Sequence, residues 1–252
     1  VGRCAHPSVR VFSFVPTVRA AVPAPAYPSR RGSVEAGPGV PDILQLPESV
    51  LRQMTPLQEI PGLGKANGGA FYLHGEDEFR KDEAVRGLIQ AHLDPATRDF
   101  NYDPLGGKDV DTETLASVLA TPPMMAEWRV VVVREVEGLA SSARSREVLL
   151  AAAADPPAGL ALVLSCTVPQ GSKAKFYRQL QKAARSVEFK RLADADVPGW
   201  LMERGKAGFG VEVSVEAAQA LGAAIGPNLG VLSRELQKLT CNLRTLLTIS
   251  HH

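Results

Sequence analysis

At 252 residues with a 45% hydrophobic share, the chain is long enough for one large core or two small ones, and 28 Lys plus Arg against 27 Asp plus Glu leave no overall field to draw in nucleic acid. Cys4, Cys166 and Cys241 are odd in number and lack paired spacing, which fits reduced thiols of a cytosolic protein better than a disulfide framework or a zinc site. No apolar run approaches the roughly 20 residues that span a bilayer, so an integral membrane protein is not expected.

Residues 1–66 are dense in proline and glycine and carry no sustained period of 2 or 3.6, so a disordered tail or linker is expected there. Val11 to Val22 superficially suggests a targeting segment, but Pro16 interrupts its apolar part and no clean cleavage pattern follows. A second reading of the compositional break is translation from too far upstream, with the true start near Met54. From residue 67 to 191 short apolar runs alternate with amphipathic stretches, the pattern of an α/β layered domain. The expected order is a strand Ala70–Leu73, a helix Asp77–Ala91 with Phe79, Ala84, Val85 and Leu88 on one side, and a strand over 99–105. A helix Thr112–Leu119, a strand Arg129–Arg134, a helix Ser142–Ala153, a strand Leu160–Ser165, a helix Ser172–Ala184 and a strand Ser186–Phe189 follow. The unalternated run Val130 to Val133 predicts a strand buried on both faces of a mainly parallel sheet.

Residues 192–240 contain no strand pattern but three helices: Asp194–Lys206, Ser214–Ile225 with Ser214 as N-cap, and Asn228–Leu239 with Asn228 as N-cap. They predict a small helical lid domain after the sheet. Residues 241–252 have little room for another domain.

A parallel sheet followed by a helical lid suggests a nucleotide-hydrolysing ATPase of the AAA+ kind, and the residues of its phosphate site do not meet that chemistry. A phosphate loop needs G-x-x-x-x-G-K-[ST], so that backbone amides and the lysine cradle phosphates while a hydroxyl holds magnesium. The first strand is followed instead by His74-Gly75-Glu76-Asp77-Glu78-Phe79-Arg80-Lys81, which lacks the second glycine and the hydroxyl and sets three carboxylates where an anion would dock. Those carboxylates suit the electropositive helix N-terminus. The valine strand ends in Arg134-Glu135, placing a cation where a magnesium-binding aspartate would stand. Gly62-Leu63-Gly64-Lys65 lies ahead of the first strand and is taken as linker. His74 and His92 lack metal-ligand spacing, and no G-x-S-x-G elbow occurs. Lys173, Lys175, Arg178, Lys182 and Arg185 form a basic face, either solvated or a nucleic-acid contact, with the neutral chain favouring the first.

The stretch Leu115 to Glu137 presents a different chemistry. Pro122 and Pro123 stop the helix and force an extended turn, delivering Met124 and Met125 just ahead of the valine strand. Flexible, polarizable thioether side chains on a loop fit a docking tip for another protein, and they equally fit core filler under the sheet edge.

Taken in order, YLHGEDEFRKDEAV (Tyr72–Val85), DFNYDPLGG (Asp99–Gly107), LATPPMMAEWRVVVVREVE (Leu119–Glu137), KFYRQL (Lys175–Leu180), VEFKRL (Val187–Leu192) and LSRELQKL (Leu232–Leu239) resemble the delta subunit of the bacterial DNA polymerase III clamp loader. The resemblance implies an AAA+-like (P-loop NTPase-like) domain with a degenerate nucleotide site, no cofactor and no intrinsic catalysis, although the polymerase holoenzyme as a whole is a nucleotidyltransferase. It implies a replication subunit that binds and helps open the ring-shaped sliding clamp (beta subunit), alongside gamma/tau and delta prime subunits, and that meets primed DNA through the complex. It places the clamp-binding element on Met124 and Met125, with Leu119, Pro123 and Trp128 around them. Met125 departs from the phenylalanine that often ends such pairs, and the chain departs again where the family continues into a helical collar domain. The collar's absence and the unfamiliar residues after Leu239 are read as a truncated or frameshifted sequence. The competing expectation, from another class, is a nucleotide-dependent α/β enzyme with an unconventional site.

Overall fold

The computed structural model describes residue 63, residues 68–168 and residues 175–249, with side chains as far as Cys241. The chain divides into two units, Val1–Val40 and Pro41–His252, and every described residue belongs to the second. Apart from Leu63, the expected tail over residues 1–66 lies outside the described residues, as do Lys173 and Ser250 to His252.

Five parallel strands form one sheet in the order β2-β3-β4-β1-β5: β1 (Gly69–His74), β2 (Tyr102–Gly106), β3 (Arg129–Arg134), β4 (Leu160–Cys166) and β5 (Arg185–Glu188). β3 lies between β2 and β4 with Val131 opposite Asp103 on one side and Leu162 on the other. Val130 to Val133 are fully buried because helices cover both faces of the sheet, as their unalternated pattern predicts. Removing each such side chain from water is worth roughly 1.5 to 3 kcal/mol, so this strand anchors the domain.

One face packs against α1 (Glu78–His92), whose Ala84, Val85, Leu88 and Ile89 meet Phe71, Leu73, Val130, Val132 and Val163. Leu63 joins this cluster at 1% exposure, so the segment before the first strand contributes at least one side chain to the core. The other face is covered by α3 (Thr112–Ala120), α4 (Ala143–Ala154) and α5 (Lys175–Ala183), through Leu115, Leu119, Leu149, Phe176 and Leu180. Where a strand over 99–105 was expected, a short helix α2 (Arg98–Asn101) precedes β2. Tyr102 begins the extended segment, and Pro104 is tolerated because β2 is an edge strand with a partner on one side.

Helix starts follow side-chain chemistry. Asp77, Asp111, Ser142 and Ser214 each accept a backbone N–H in the first turn of the helix they cap, and Asn228 accepts from Val231 at 3.1 Å. Beyond the sheet, the single helix expected over Asp194–Lys206 is divided into a 3₁₀ turn (Asp194–Asp196), α6 (Val197–Arg204) and a π turn (Gly205–Phe209). Pro198 falls in the first turn of α6, where its missing N–H is no loss. α7 (Val215–Ile225) and α8 (Leu229–Ile249) complete the helical unit, α8 running ten residues past Leu239. Its core is Val197, Leu201, Phe209, Ala218, Leu229, Leu232 and Leu236, against which Phe79 of α1 packs.

Candidate functional site

All strands being parallel, the loops that leave them gather at one end of the sheet and the loops that enter them at the other. Brought to the exit end are the residues of the nucleotide-site test. Gly75 has φ +122°, and a Cβ there would fall 2.2 Å from the Phe189 carbonyl oxygen, so only glycine lets the loop lie against the segment after β5. Asp77 N–H donates to that same carbonyl at 3.1 Å. The Asp77 carboxylate caps α1 by accepting from Arg80 N–H at 3.0 Å and pairs with the Arg80 guanidinium, which also donates to the Lys190 carbonyl.

Lys81 occupies the position of the phosphate-loop lysine, and its ammonium is completely buried. Nζ donates to Glu78 Oε1 at 2.7 Å, to the Cys166 carbonyl at 3.0 Å and to Thr167 Oγ1 at 3.0 Å. Thr167 Oγ1 in turn donates to Glu78. Arg134, at the magnesium-ligand position, is paired with Asp82, the residue in place of the phosphate-loop hydroxyl. A triphosphate reaching for Lys81 or Arg134 would compete with these pairs and would meet Glu76, Asp77 and Glu78 in doing so. The adjoining cleft of about 370 Å³, between this loop and the start of α8, is lined by those three carboxylates and a single cation, Arg191. At the end of β4 the buried Cys166 thiol is pushed up to about 12 by loss of solvent, with Glu137 adding to the effect. Among the described residues no group of His, Cys, Asp and Glu is placed to hold a metal ion.

At the entry end stands the Met124–Met125 loop. α3 closes with Thr121 N–H on the Val118 carbonyl and Thr121 Oγ1 on the Ser117 carbonyl, and Pro122 and Pro123 then carry the chain outward. Met124 is 54% exposed and Met125 88%, so neither is core filler. Met125 has φ +55°, a left-handed conformation unusual for a side chain without a local hydrogen-bonding group. The loop is nevertheless tied down. Asn101, completely buried in α2, accepts from Met124 N–H at 2.7 Å and donates to the Met124 carbonyl at 2.8 Å and to the Thr97 carbonyl at 3.0 Å. On the other flank Arg129 N–H donates to the Gly159 carbonyl at 2.8 Å, and the Arg129 side chain binds the Phe100 carbonyl at 2.7 Å and the Asp103 carboxylate. Burial pushes the Asp103 carboxyl up, and Arg129 beside it opposes that rise.

The five residues expected at a docking element thus occupy three environments. Met124 and Met125 form the exposed tip, while Pro123 and Trp128 are half-buried at its base. Pro123 abuts Gly159, and the Trp128 ring packs over Gly68 with its neighbour His92 edge-on at 5.6 Å. Leu119 is buried at 3% in the core beneath the tip, a support rather than a contact surface. Phe100, 59% exposed and next to Asn101, was not anticipated, because the strand expected there gave no reason to single it out. On the basic face, Lys175 and Arg178 are exposed in α5, whereas the Arg185 guanidinium lies over the Phe71 ring at 5.4 Å. Among the described residues no helix is long and apolar enough to cross a membrane.

Residues 71–190 match the family described as DNA polymerase III, delta subunit. Among solved structures, the Bacillus subtilis DNA clamp loader delta protein YqeN superimposes with a TM-score of 0.56 at 21% identity, covering 69% of this chain and 53% of that one. This chain therefore spans about half the length of that protein. A point mutant of Thermotoga maritima RuvB gives a TM-score of 0.44 at 17% identity over 73% and 57% of the two chains. A DNA polymerase III gamma subunit-related protein of the same organism gives 0.39 at 12% identity over 62% and 54%. No curated protein sequence matches the chain. The fold is α/β, a parallel five-stranded sheet followed by a small helical unit, and it is shared with the clamp loader delta protein. Over residues 71–190 the chain is similar to the DNA polymerase III delta subunit family, and its fold is like that of a clamp loader delta protein.

Proposed function

We propose that this chain acts as a clamp-loader subunit in bacterial DNA replication, docking Met124 and Met125 into an apolar pocket on the ring-shaped sliding clamp and helping to hold the ring open for loading onto primed DNA. Its partners in this reading are the clamp (beta subunit) and the gamma/tau and delta prime loader subunits, in the cytoplasm, with nucleotide hydrolysis supplied by sister subunits. The observation that carries the reading is the tip itself: two large apolar side chains, 54% and 88% exposed, on a loop fixed at both flanks. An apolar group that stays in water on an otherwise well-packed domain is accounted for by a partner that covers it. The family match supports the identity of that partner, and the internally paired charges around Lys81 and Arg134 support a role without nucleotide chemistry.

Burial of one methionine in a partner is worth roughly 1.5 to 3 kcal/mol before ordering costs are subtracted. Changing Met124→Ala together with Met125→Ala is expected to weaken clamp affinity at least tenfold, since tenfold requires only about 1.4 kcal/mol. Thermal unfolding is expected to be unchanged, because both side chains are exposed in the free chain. Met125→Phe is expected to retain or improve binding by adding ring area. Clamp titrations in which the double variant binds like the unaltered chain would remove the docking reading.

A further inference from the structure

An exposed loop that must present two thioethers in one arrangement faces an entropic problem. Methionine has three rotatable bonds, and a mobile backbone beneath it would add its own disorder to the cost of docking. In this chain the backbone part is addressed by a residue that is itself never exposed. Asn101 sits 23 positions earlier in the chain, and its side-chain amide closes a two-point clasp on the Met124 peptide groups, N–H to Oδ1 at 2.7 Å and carbonyl from Nδ2 at 2.8 Å. Its remaining Nδ2 proton goes to the carbonyl of Thr97, the N-cap residue of α2. Both donors are used and the oxygen accepts, so the amide orientation is fixed by its three partners. The clasp holds the residue immediately before Met125, whose φ of +55° an unrestrained chain would seldom populate.

Resting on the docking reading above, we propose that Asn101 is a positioning residue for partner binding: it touches no partner, but holds the Met124–Met125 backbone in the conformation that presents both side chains. The alternative role for a buried amide is to fill space and satisfy α2 locally. The two roles separate in what they predict. A space-filling Asn101 would be replaced adequately by leucine, which has the same branched heavy-atom skeleton with bulkier ends and no hydrogen bonds. A positioning Asn101 would not, since a tip left in the competent conformer about one tenth of the time binds about tenfold more weakly.

The test uses the full chain and the sliding clamp, with affinities measured by titration for the unaltered chain, Asn101→Leu, Met124→Ala with Met125→Ala, and all three changes together. Asn101→Leu is expected to lose about tenfold in affinity in the unaltered background and little in the methionine-less one, because its effect passes through the tip. Equal losses in both backgrounds, or full affinity in Asn101→Leu, would overturn the positioning role while leaving the docking reading intact. Failure of the unaltered chain to bind the clamp would remove the docking reading itself, and this inference with it. Should Asn101→Leu not fold, amide hydrogen exchange on the unaltered chain decides. The Met124 N–H is expected to be protected well beyond an exposed loop amide, and exchange at the open-loop rate would overturn the proposal.

Discussion

The two ends of the sheet treat their side chains in opposite ways. At the exit end, charged residues face inward and satisfy one another: Lys81 with Glu78 and Thr167, Arg134 with Asp82, Asp77 with Arg80. At the entry end, Met124 and Met125 are exposed, and the hydrogen bonds serve to hold the backbone that carries them. Charges paired with one another leave less for a ligand to bind, whereas the apolar tip keeps most of its surface in water. The difference teaches that the end where a phosphate loop would sit spends its charges on one another, while the opposite end leaves apolar surface uncovered.

The strongest way to test that division is to break the joint at the exit end. Glu83 of α1 and Arg204 of α6 form an ion pair at 2.7 Å with both side chains below 10% exposure, linking sheet and helical unit. The Arg204 guanidinium also lies 5.5 Å above the Phe79 ring, which meets Trp200 edge-on at 6.0 Å. Removing one member of such a pair leaves the other buried and uncompensated, so Arg204→Ala is expected to cost about 3 to 5 kcal/mol in denaturant unfolding. Clamp affinity of the folded fraction is expected to be unchanged. Loss of affinity at constant stability in this variant would mean that the two ends are not separable in the way described.

A smaller effect is expected at Lys81. Lys81→Met takes a donor from the Cys166 carbonyl and Thr167 Oγ1, and a buried hydrogen bond left unmade costs about 1 to 3 kcal/mol, so a destabilisation of that size is expected. The Glu78 partner left behind is 61% exposed and can be hydrated. Calorimetric titration of the unaltered chain with magnesium-ATP is expected to show no saturable binding. Saturable, magnesium-dependent binding abolished by Lys81→Met would restore the enzyme reading and overturn the contrast between the ends.

Much of this architecture was legible in the sequence because it is local. The N-caps Ser142, Ser214 and Asn228 depend on a few consecutive residues, and the buried strand Arg129–Arg134 depends on four valines in a row. The failed phosphate site was legible for the same reason, as a missing glycine and hydroxyl at fixed spacing. What the residues became instead was not legible, since the Lys81–Thr167 and Arg134–Asp82 contacts join segments far apart in the chain. The exposure of Met124 and Met125 was left open between tip and core, because methionine composition fits either. Asn101 was passed over inside a stretch expected to be strand, although its amide is what ties that stretch to the tip. Leu63 was assigned to the linker because a lone leucine among glycines has no periodicity to announce that it is buried.

The smallest expected effect concerns how tightly the exit end is sealed. His74, the last residue of β1, is 7% exposed, stacks on Tyr72 at 4.9 Å and has Nε2 3.0 Å from Ser186 Oγ. Loss of solvent lowers its pKa below the ordinary 6.5, Glu188 works against that shift, and Lys81 adds to it. With the folded value below the unfolded one, the unfolded chain takes up a proton first as pH falls, so the contribution of His74 to stability is fully present above about 6.5 and is lost progressively below it. In a pH series of thermal unfolding from about pH 8 to about pH 5, the unaltered chain is expected to lose more of its melting temperature than His74→Gln, whose side chain cannot titrate. The difference between the two profiles isolates this group from the carboxylates that titrate further down. Parallel profiles would show that protonated His74 is accommodated as easily in the folded chain as in the unfolded one. The exit end would then be open to water, and its charges available to a ligand after all.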